Sequence, residues 1–317
     1  MNQKIKEEAE AFDCRIESRI ENGFIPDLRN LKPNSFFYKS FWRDPYYTKL
    51  YLGEICNHFI KQLSQHLSSG SRVLDVGCGA GYFALEIARQ GYSVVGIDIS
   101  SSCIDVAQET LLNIDIKPNF GSLEYHNCAV TDLSKFEKFD AVICSGVLHH
   151  LESLPECLDL IQLSLNNNGV LIWHEPQHKY WTENDASIVA LIRLILANLN
   201  MWHDEKVKEV TTAKELLNMS DEVYQEYLYE RDPNEMKGQS PNDLISDRDT
   251  IVGEIGKRFE ILDVQQSFSF IYRLMGGMRG DQEVLNRLAY ILQLFDKTMS
   301  SKGIINSNYF YGKARKI

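Results

Sequence analysis

The stretch VLDVGCGAGYF, Val73 to Phe83, sets Gly77, Gly79 and Gly81 between a β-branched run and the start of a helical pattern. Glycine at a strand-to-helix turn lets the backbone fold sharply and approach a ligand with no Cβ in the way. The next carboxylate at a strand end is Asp98, in VVGIDIS. In nucleotide-binding sheets an acid there accepts hydrogen bonds from both ribose hydroxyls. The glycine spacing is GxGxG rather than the GxGxxG of dinucleotide binders, and Asp75 stands two residues before the loop. A carboxylate in that place repels a pyrophosphate and suits a cationic amino-acid moiety. The pattern therefore favours a nucleoside bearing an ammonium or sulfonium group, with a ligand-free tight turn as the plain alternative.

Histidines come next. His149 and His150 follow the fourth apolar run, at the sheet edge where open α/β folds bind ligands. An imidazole there can take a proton from a hydroxyl or amine near neutral pH. Alternatively, one of the pair faces the pocket and the other packs on the next helix. Further on, His174–His178 spells HEPQH and satisfies the HExxH zinc pattern. That motif works only when both histidines share one helix face. Here it begins at a strand end, and Pro176 biases Glu175 toward extended backbone. No metal is expected, and His174 and Glu175 are read as bordering the pocket. The seven cysteines are scattered and never spaced CxxC, which argues against a disulfide framework and a thiolate zinc site.

The elements that must position these groups can be read from the hydropathy pattern. Apolar runs at Arg72–Val76, Ser93–Ile97, Leu123–Asn127, Ala141–Ser145 and Val170–His174 read as strands. They alternate with helical stretches at Tyr82–Gln90, Ser102–Leu112 and Leu154–Leu165. Such alternation means a parallel sheet wrapped on both faces. Across 177–258 the pattern lapses into a helix apolar nearly all round, Ile188–Leu199, then helical stretches at Ala213–Leu217 and Glu222–Glu230. A loop with Pro233, Gly238 and Pro241 follows. The apolar helix reads as packing, with a dimer contact or a lipophilic acceptor tunnel as alternatives. Strand signals return at Phe259–Phe270 and Tyr309–Lys313, around a helix near Glu283–Met299. Residues 1–70 are helical and rich in aromatics, with Tyr38 and Trp42 best suited to face an acceptor.

VLDVGCGAG, GIDIS and FDAVICSGVLHHL, in that order, resemble class I S-adenosylmethionine-dependent methyltransferases. The style is that of the small-molecule branch typified by ubiquinone and menaquinone methyltransferases. The resemblance covers roughly Ser71–Glu175, with support from the closing NYFYGKARK. It implies a Rossmann-like α/β fold with a doubly wound, mostly parallel seven-stranded sheet. An N-terminal helical lid (1–70) and a helical insertion after the fifth strand (177–258) would flank a cofactor-binding core made of 71–176 and 259–317. The implied cofactor is S-adenosylmethionine. Gly77, Gly79 and Gly81 would lie against its methionine part with Asp75 beside them, Asp98 on the ribose and Ile99 against the adenine. Asp132, with Thr131 adjacent, would accept from the adenine amino group. Ser145 and Gly146 would sit next to the methyl, and His149 matches the position that reaches cofactor and acceptor.

The chain of 317 residues carries a net −11, made up of −9 in 71–176 and −6 in 177–258 against +1 in 1–70 and +3 in 259–317. No segment is basic enough for the counterion release on which nonspecific nucleic-acid binding depends, so a small-molecule acceptor is expected. The start, MNQKIKEEAEAF, lacks an apolar signal core, and Ser187–Leu199 is broken by Arg193 and too short for a bilayer span. A cytoplasmic setting without a membrane span is the expectation. Two other readings stay open. One is a protein that binds the cofactor and does no chemistry. The other is transfer of a different group from a modified cofactor, for which Arg43 and the Arg273–Arg279 region could supply a cation.

Overall fold

The computed structural model describes residues 3–229 and 246–317. Ahead of the sheet come α1 (Gln3–Glu21), α2 (Pro45–Thr48) and α3 (Glu54–His66), with short 3-10 turns at Ser35–Phe37 and Phe41–Arg43. The sheet begins with β1 (Arg72–Val76), α4 (Tyr82–Ala88), β2 (Ser93–Asp98), α5 (Ser101–Leu112) and β3 (Ser122–Asn127). It continues through β4 (Phe139–Ser145), α6 (Leu154–Ser164) and β5 (Leu165–Pro176). Helices α7 (Glu183–Asn198), α8 (Ala213–Leu228) and α9 (Arg248–Gly256) follow. The chain closes with β6 (Phe259–Gln266), α10 (Ile271–Leu274), α11 (Gln282–Ser301) and β7 (Tyr309–Lys316).

Seven strands form one sheet in the order β3-β2-β1-β4-β5-β7-β6. β1 to β5 are parallel, and β7 runs antiparallel to both of its neighbours. Alternate residues of the central strands feed two cores. Val73, Ile143 and Ile172 pack with Phe59 and Phe83 on one face, and Leu74, Val142 and Leu171 pack with Leu158 and Ile161 on the other. The strand order reverses at β1 and β4, and there the diverging loops leave a crevice at the carboxyl edge.

Local chemistry explains the element ends. Ser100 caps α5 by accepting from the Cys103 amide, and Gly91, at φ +92°, ends the turn after α4. Some boundaries differ from the sequence pattern. β6 stops at Gln266 rather than Phe270, because the amides of Ser269, Phe270 and Ile271 turn to bond the buried carboxylate of Asp296. α8 is one helix through Leu228, with a Thr212–Glu215 capping box, rather than two stretches. Glu230, Pro233, Gly238 and Pro241 lie outside the described residues. Although α9 falls within 177–258, its Ile251 and Ile255 join the core with Leu158, Ile161 and Phe259, so it belongs to the sheet's outer layer. α7 is not buried all round. Val189, Ala190 and Ala197 pack inward, and Arg193 reaches Glu226 of α8 through two hydrogen bonds, while Leu191 and Ile195 face solvent.

α1 is tied across the crevice. The Asp13 carboxylate accepts from the Ser100 hydroxyl at 2.6 Å and the Ser102 amide at 2.9 Å, so it sits on the N-terminal end of α5. The following aromatic segment is fixed by Trp42 edge-on to Phe24 at 4.8 Å and by Arg89, which bridges Asp27 and Glu86. Among the described residues no helix is long and apolar enough to cross a membrane.

Candidate active site

A cavity of about 920 Å³ opens at the carboxyl edge, between the ends of β1, β2, β4 and β5 and the inner face of α1. The three glycines meet it differently. A Cβ on Gly79 (φ +52°) would have nothing within 4 Å, so it would project into the space a ligand takes. Gly77 (φ +67°) also borders the cavity, but a Cβ there would fall 2.5 Å from Cγ2 of Val147. Gly81 (φ +83°) lies behind the wall. A Cβ on it would meet the Tyr125 hydroxyl at 2.4 Å, and that hydroxyl donates to the Gly81 carbonyl at 3.0 Å. Gly81 thus shapes the loop from behind rather than lining the cavity.

Asp98 ends β2 at the cavity wall, its carboxylate accepting from the Gly79 amide and the Ser100 amide, each at 2.8 Å. Burial raises its pKa, partly offset by those two amides. Each oxygen keeps a further lone pair for a ligand. Asp75 is 2 % exposed and lies beneath the loop instead of on the wall. Burial, with the charge of Asp98, pushes its carboxyl up to about 8, while the Ala84 amide pulls the other way. Its Oδ2 is buried without a hydrogen-bond partner. Ile99, Thr131 and Ser145 border the cavity with Gly146.

Besides Gly81 and Asp75, four further sequence expectations need correction. Asp132 does not line the cavity. It pairs with Lys135 at 2.5 Å and accepts from the Ala129 amide at 3.3 Å, a local turn role, and the lysine holds its pKa below the usual range. The wall there is built instead by Cys128, Ala129 and Val130 beside Thr131. His149 is likewise off the wall. Its Nδ1 lies 2.7 Å from Glu175 Oε2, and it is His150 that borders the cavity, 3.1 Å from Glu8 of α1. Glu175 is fully buried and lines nothing, because its other oxygen accepts the Val147 and Leu148 amides at 2.9 and 3.0 Å. Alternation along β5 explains the split. His174 reaches the cavity, Glu175 points to the opposite face, and there it pins the loop after β4. Tyr38 is also misplaced by the sequence reading. It is exposed, edge-on to His203 at 6.0 Å, whereas Trp42 borders the cavity.

His174 sits beside Ser145 in the β4–β5 register, with Nε2 3.0 Å from the Ser267 hydroxyl and its ring stacked on Tyr309 at 5.0 Å. With Tyr272 and Arg273 these groups form one end of the cavity. Of the cations considered for a modified cofactor, Arg273 borders the cavity, while Arg43 and Arg279 bond the Met278 carbonyl instead. HEPQH runs along β5 and into the following 3-10 turn, so its histidines share no helix face. Among the described residues no cluster of three His, Cys, Asp or Glu could hold a metal. One stripe went unread in the sequence: Glu8, Phe12, Arg15 and Arg19 of α1 all face the cavity. Their helical spacing of four, three and four was the available signal.

A family model described as "Methyltransferase domain" matches residues 47–234. Ubiquinone biosynthesis O-methyltransferase of Rickettsia bellii is 30% identical over 118 residues, covering 37% of this chain and 47% of that protein. The mitochondrial ubiquinone biosynthesis O-methyltransferase of Schizosaccharomyces pombe is 36% identical over 104 residues, covering 33% and 37%. The chain thus spans about half the length, or less, of these curated relatives. In fold it is similar to magnesium protoporphyrin IX methyltransferase from Synechocystis PCC 6803, solved with S-adenosylhomocysteine. That likeness has a TM-score of 0.52 at 14% identity, over 99% of this chain and 100% of the other. The sheet order, the glycine loop closed on Asp98, and a family match over more than half of the residues agree: the chain belongs to the methyltransferase domain family.

Proposed function

We propose that this chain transfers the methyl group of S-adenosylmethionine to a hydroxyl oxygen of a small molecule. The observation that carries the reading is the Gly79–Asp98–Ser100 arrangement on the cavity wall. The chemistry of these donors and acceptors fits the cofactor. Asp98 would accept from the ribose hydroxyls, and the open space at Gly79 would admit the methionine part. Ile99 and the Cys128–Thr131 wall would hold the adenine. Asp75 lies buried under the loop with an unpartnered oxygen and a raised pKa, so a sulfonium bound above it would favour release of its proton. The relatives named O-methyltransferases support oxygen as the acceptor atom.

Bound S-adenosylmethionine supplies a methyl already activated on sulfonium sulfur. What remains for the protein is to align an in-line attack and to exclude water. Ser145 and Gly146 would border the reacting carbon, and α1 would close the cavity from above. A hydroxyl acceptor must also lose its proton. His174, at the wall beside Ser145, is the imidazole we assign to that step. The contact of its Nε2 with the Ser267 hydroxyl at 3.0 Å, and the stacking on Tyr309, would hold the ring in place for that transfer.

The test is turnover. The protein is incubated with S-adenosylmethionine and a small-molecule extract, and S-adenosylhomocysteine is followed. The expected result is accumulation of that product, reduced about 100-fold or more by His174→Asn, together with loss of the low-pH limb of the rate profile. Cofactor binding with no product from any extract would leave a binding protein and overturn the catalytic reading.

A further inference from the structure

Helix α11 is built inside out. Toward the protein it buries Leu285, Ala289, Gln293, Asp296 and Ser300. Asp296 accepts the amides of Ser269, Phe270 and Ile271, each at 2.8 Å, and Gln293 donates to the Leu50 carbonyl. Toward solvent the same helix presents Val284, Tyr290, Ile291, Leu294 and Phe295, which are 38 to 54 % exposed. Monomers rarely leave that much contiguous apolar surface wet.

The exposed positions have a helix-pairing repeat. Val284, Ile291 and Thr298 recur every seven residues, and Arg287, Leu294 and Ser301 recur three residues after them. That is the seam of a two-helix contact, with Tyr290 and Phe295 on its flanks. The charges complete the pattern. The N-terminal end carries Asp281 and Glu283, and the C-terminal end carries Lys302 beyond Lys297, which itself pairs with Glu54 at 2.7 Å. An antiparallel two-fold axis near Leu292 and Gln293 would set Ile291 against Leu294 of a second copy, twice by symmetry. The same operation would lay each acidic end on the other copy's basic end, whereas a parallel pair would set like charge on like.

We infer that the solvent face of α11 is a homodimer interface, formed with a second copy of this chain across an antiparallel two-fold axis. Self-complementarity in both spacing and charge is what an isologous contact requires. Opposed helix dipoles add to it. The interface lies at a helix whose opposite face anchors the α10 segment, and it stands whether or not the proposed methyl transfer does.

Sedimentation equilibrium of the full chain over a hundredfold range of concentration tests this. The expected result is a reversible dimer. Leu294→Glu should weaken it at least about 30-fold while circular dichroism and melting stay unchanged. Lys302→Glu should weaken it about fivefold through two symmetry-related contacts, and adding Glu283→Lys to that variant should restore it. If Leu294→Glu melts early, the Lys302 and Glu283 variants at the exposed ends carry the test. A wild-type monomer at every concentration, or a dimer untouched by all three variants, overturns the inference. A monomer that instead co-sediments with vesicles of mixed zwitterionic and anionic phospholipid, dependent on Leu294, also overturns it.

Discussion

Asp75 and Asp98 stand close together at one end of the sheet, yet they lie under different constraints. Asp98 is held by two amides, whereas Asp75 is buried with one oxygen unpartnered, so its carboxyl is pushed up to about 8 from an ordinary 3.8. The folded state therefore keeps a proton that the unfolded chain releases near pH 4. Stability from this group falls as pH rises from about 4 to about 8. Asp75→Asn removes that dependence, and its melting temperature relative to wild type should rise steadily from pH 5 to pH 8.5 in thermal scans. A flat difference would contradict the burial argument. The glycines make a second contrast. Gly81→Ala should destabilise the protein by about 2 kcal/mol or more, because the left-handed backbone and the Tyr125 hydroxyl both oppose a methyl group. Gly79→Ala meets no protein atom, so its larger effect should be on cofactor affinity. Denaturant unfolding paired with calorimetric titration separates the two. Asp132→Ala should leave affinity within about twofold, since its partners are Lys135 and its own turn.

At the scale of elements, strands β1, β2, β4 and β5 were legible because burial on both faces imposes continuous apolar runs bounded by glycine and serine signals. The edge strand β3, with only Tyr125 buried, was legible from its place in the strand–helix alternation. Features set by distant partners were less legible. The choice between His149 and His150 rests on Glu175, far along the chain, and nothing near the histidines announces it. Asp132 looked like a ligand group because its position after the third strand resembled one, but a lysine one turn on satisfies it locally. α1 read only as part of an N-terminal helical lid, although its cavity-facing stripe was regularly spaced. Its docking rests on Asp13 at the N-terminus of α5. Asp13→Ala should speed amide hydrogen exchange in α1 by about tenfold while the β1–β4 amides keep their protection. Equal loss in both regions would mean that α1 is part of the core rather than a cover.

For the whole molecule, the net charge of −11 now has a distribution with meaning. Part of the formal −9 in 71–176 lies at the cavity, in Asp98, while Asp75 beneath it keeps its proton at neutral pH. In the cap, the buried charge is partly neutralised by the Arg193–Glu226 pair between α7 and α8. Helix α1, the aromatic N-terminal segment and the α10 segment border the cavity together with the glycine loop and enclose the space beside Ser145. The central claim is that this enclosure holds S-adenosylmethionine through Asp98. Isothermal titration of the full chain with S-adenosylhomocysteine tests it most directly. One-to-one binding by the wild type, weakened about 100-fold or more in a folded Asp98→Ala variant, is the predicted result. No binding by the wild type, or equal binding by both proteins, would contradict it.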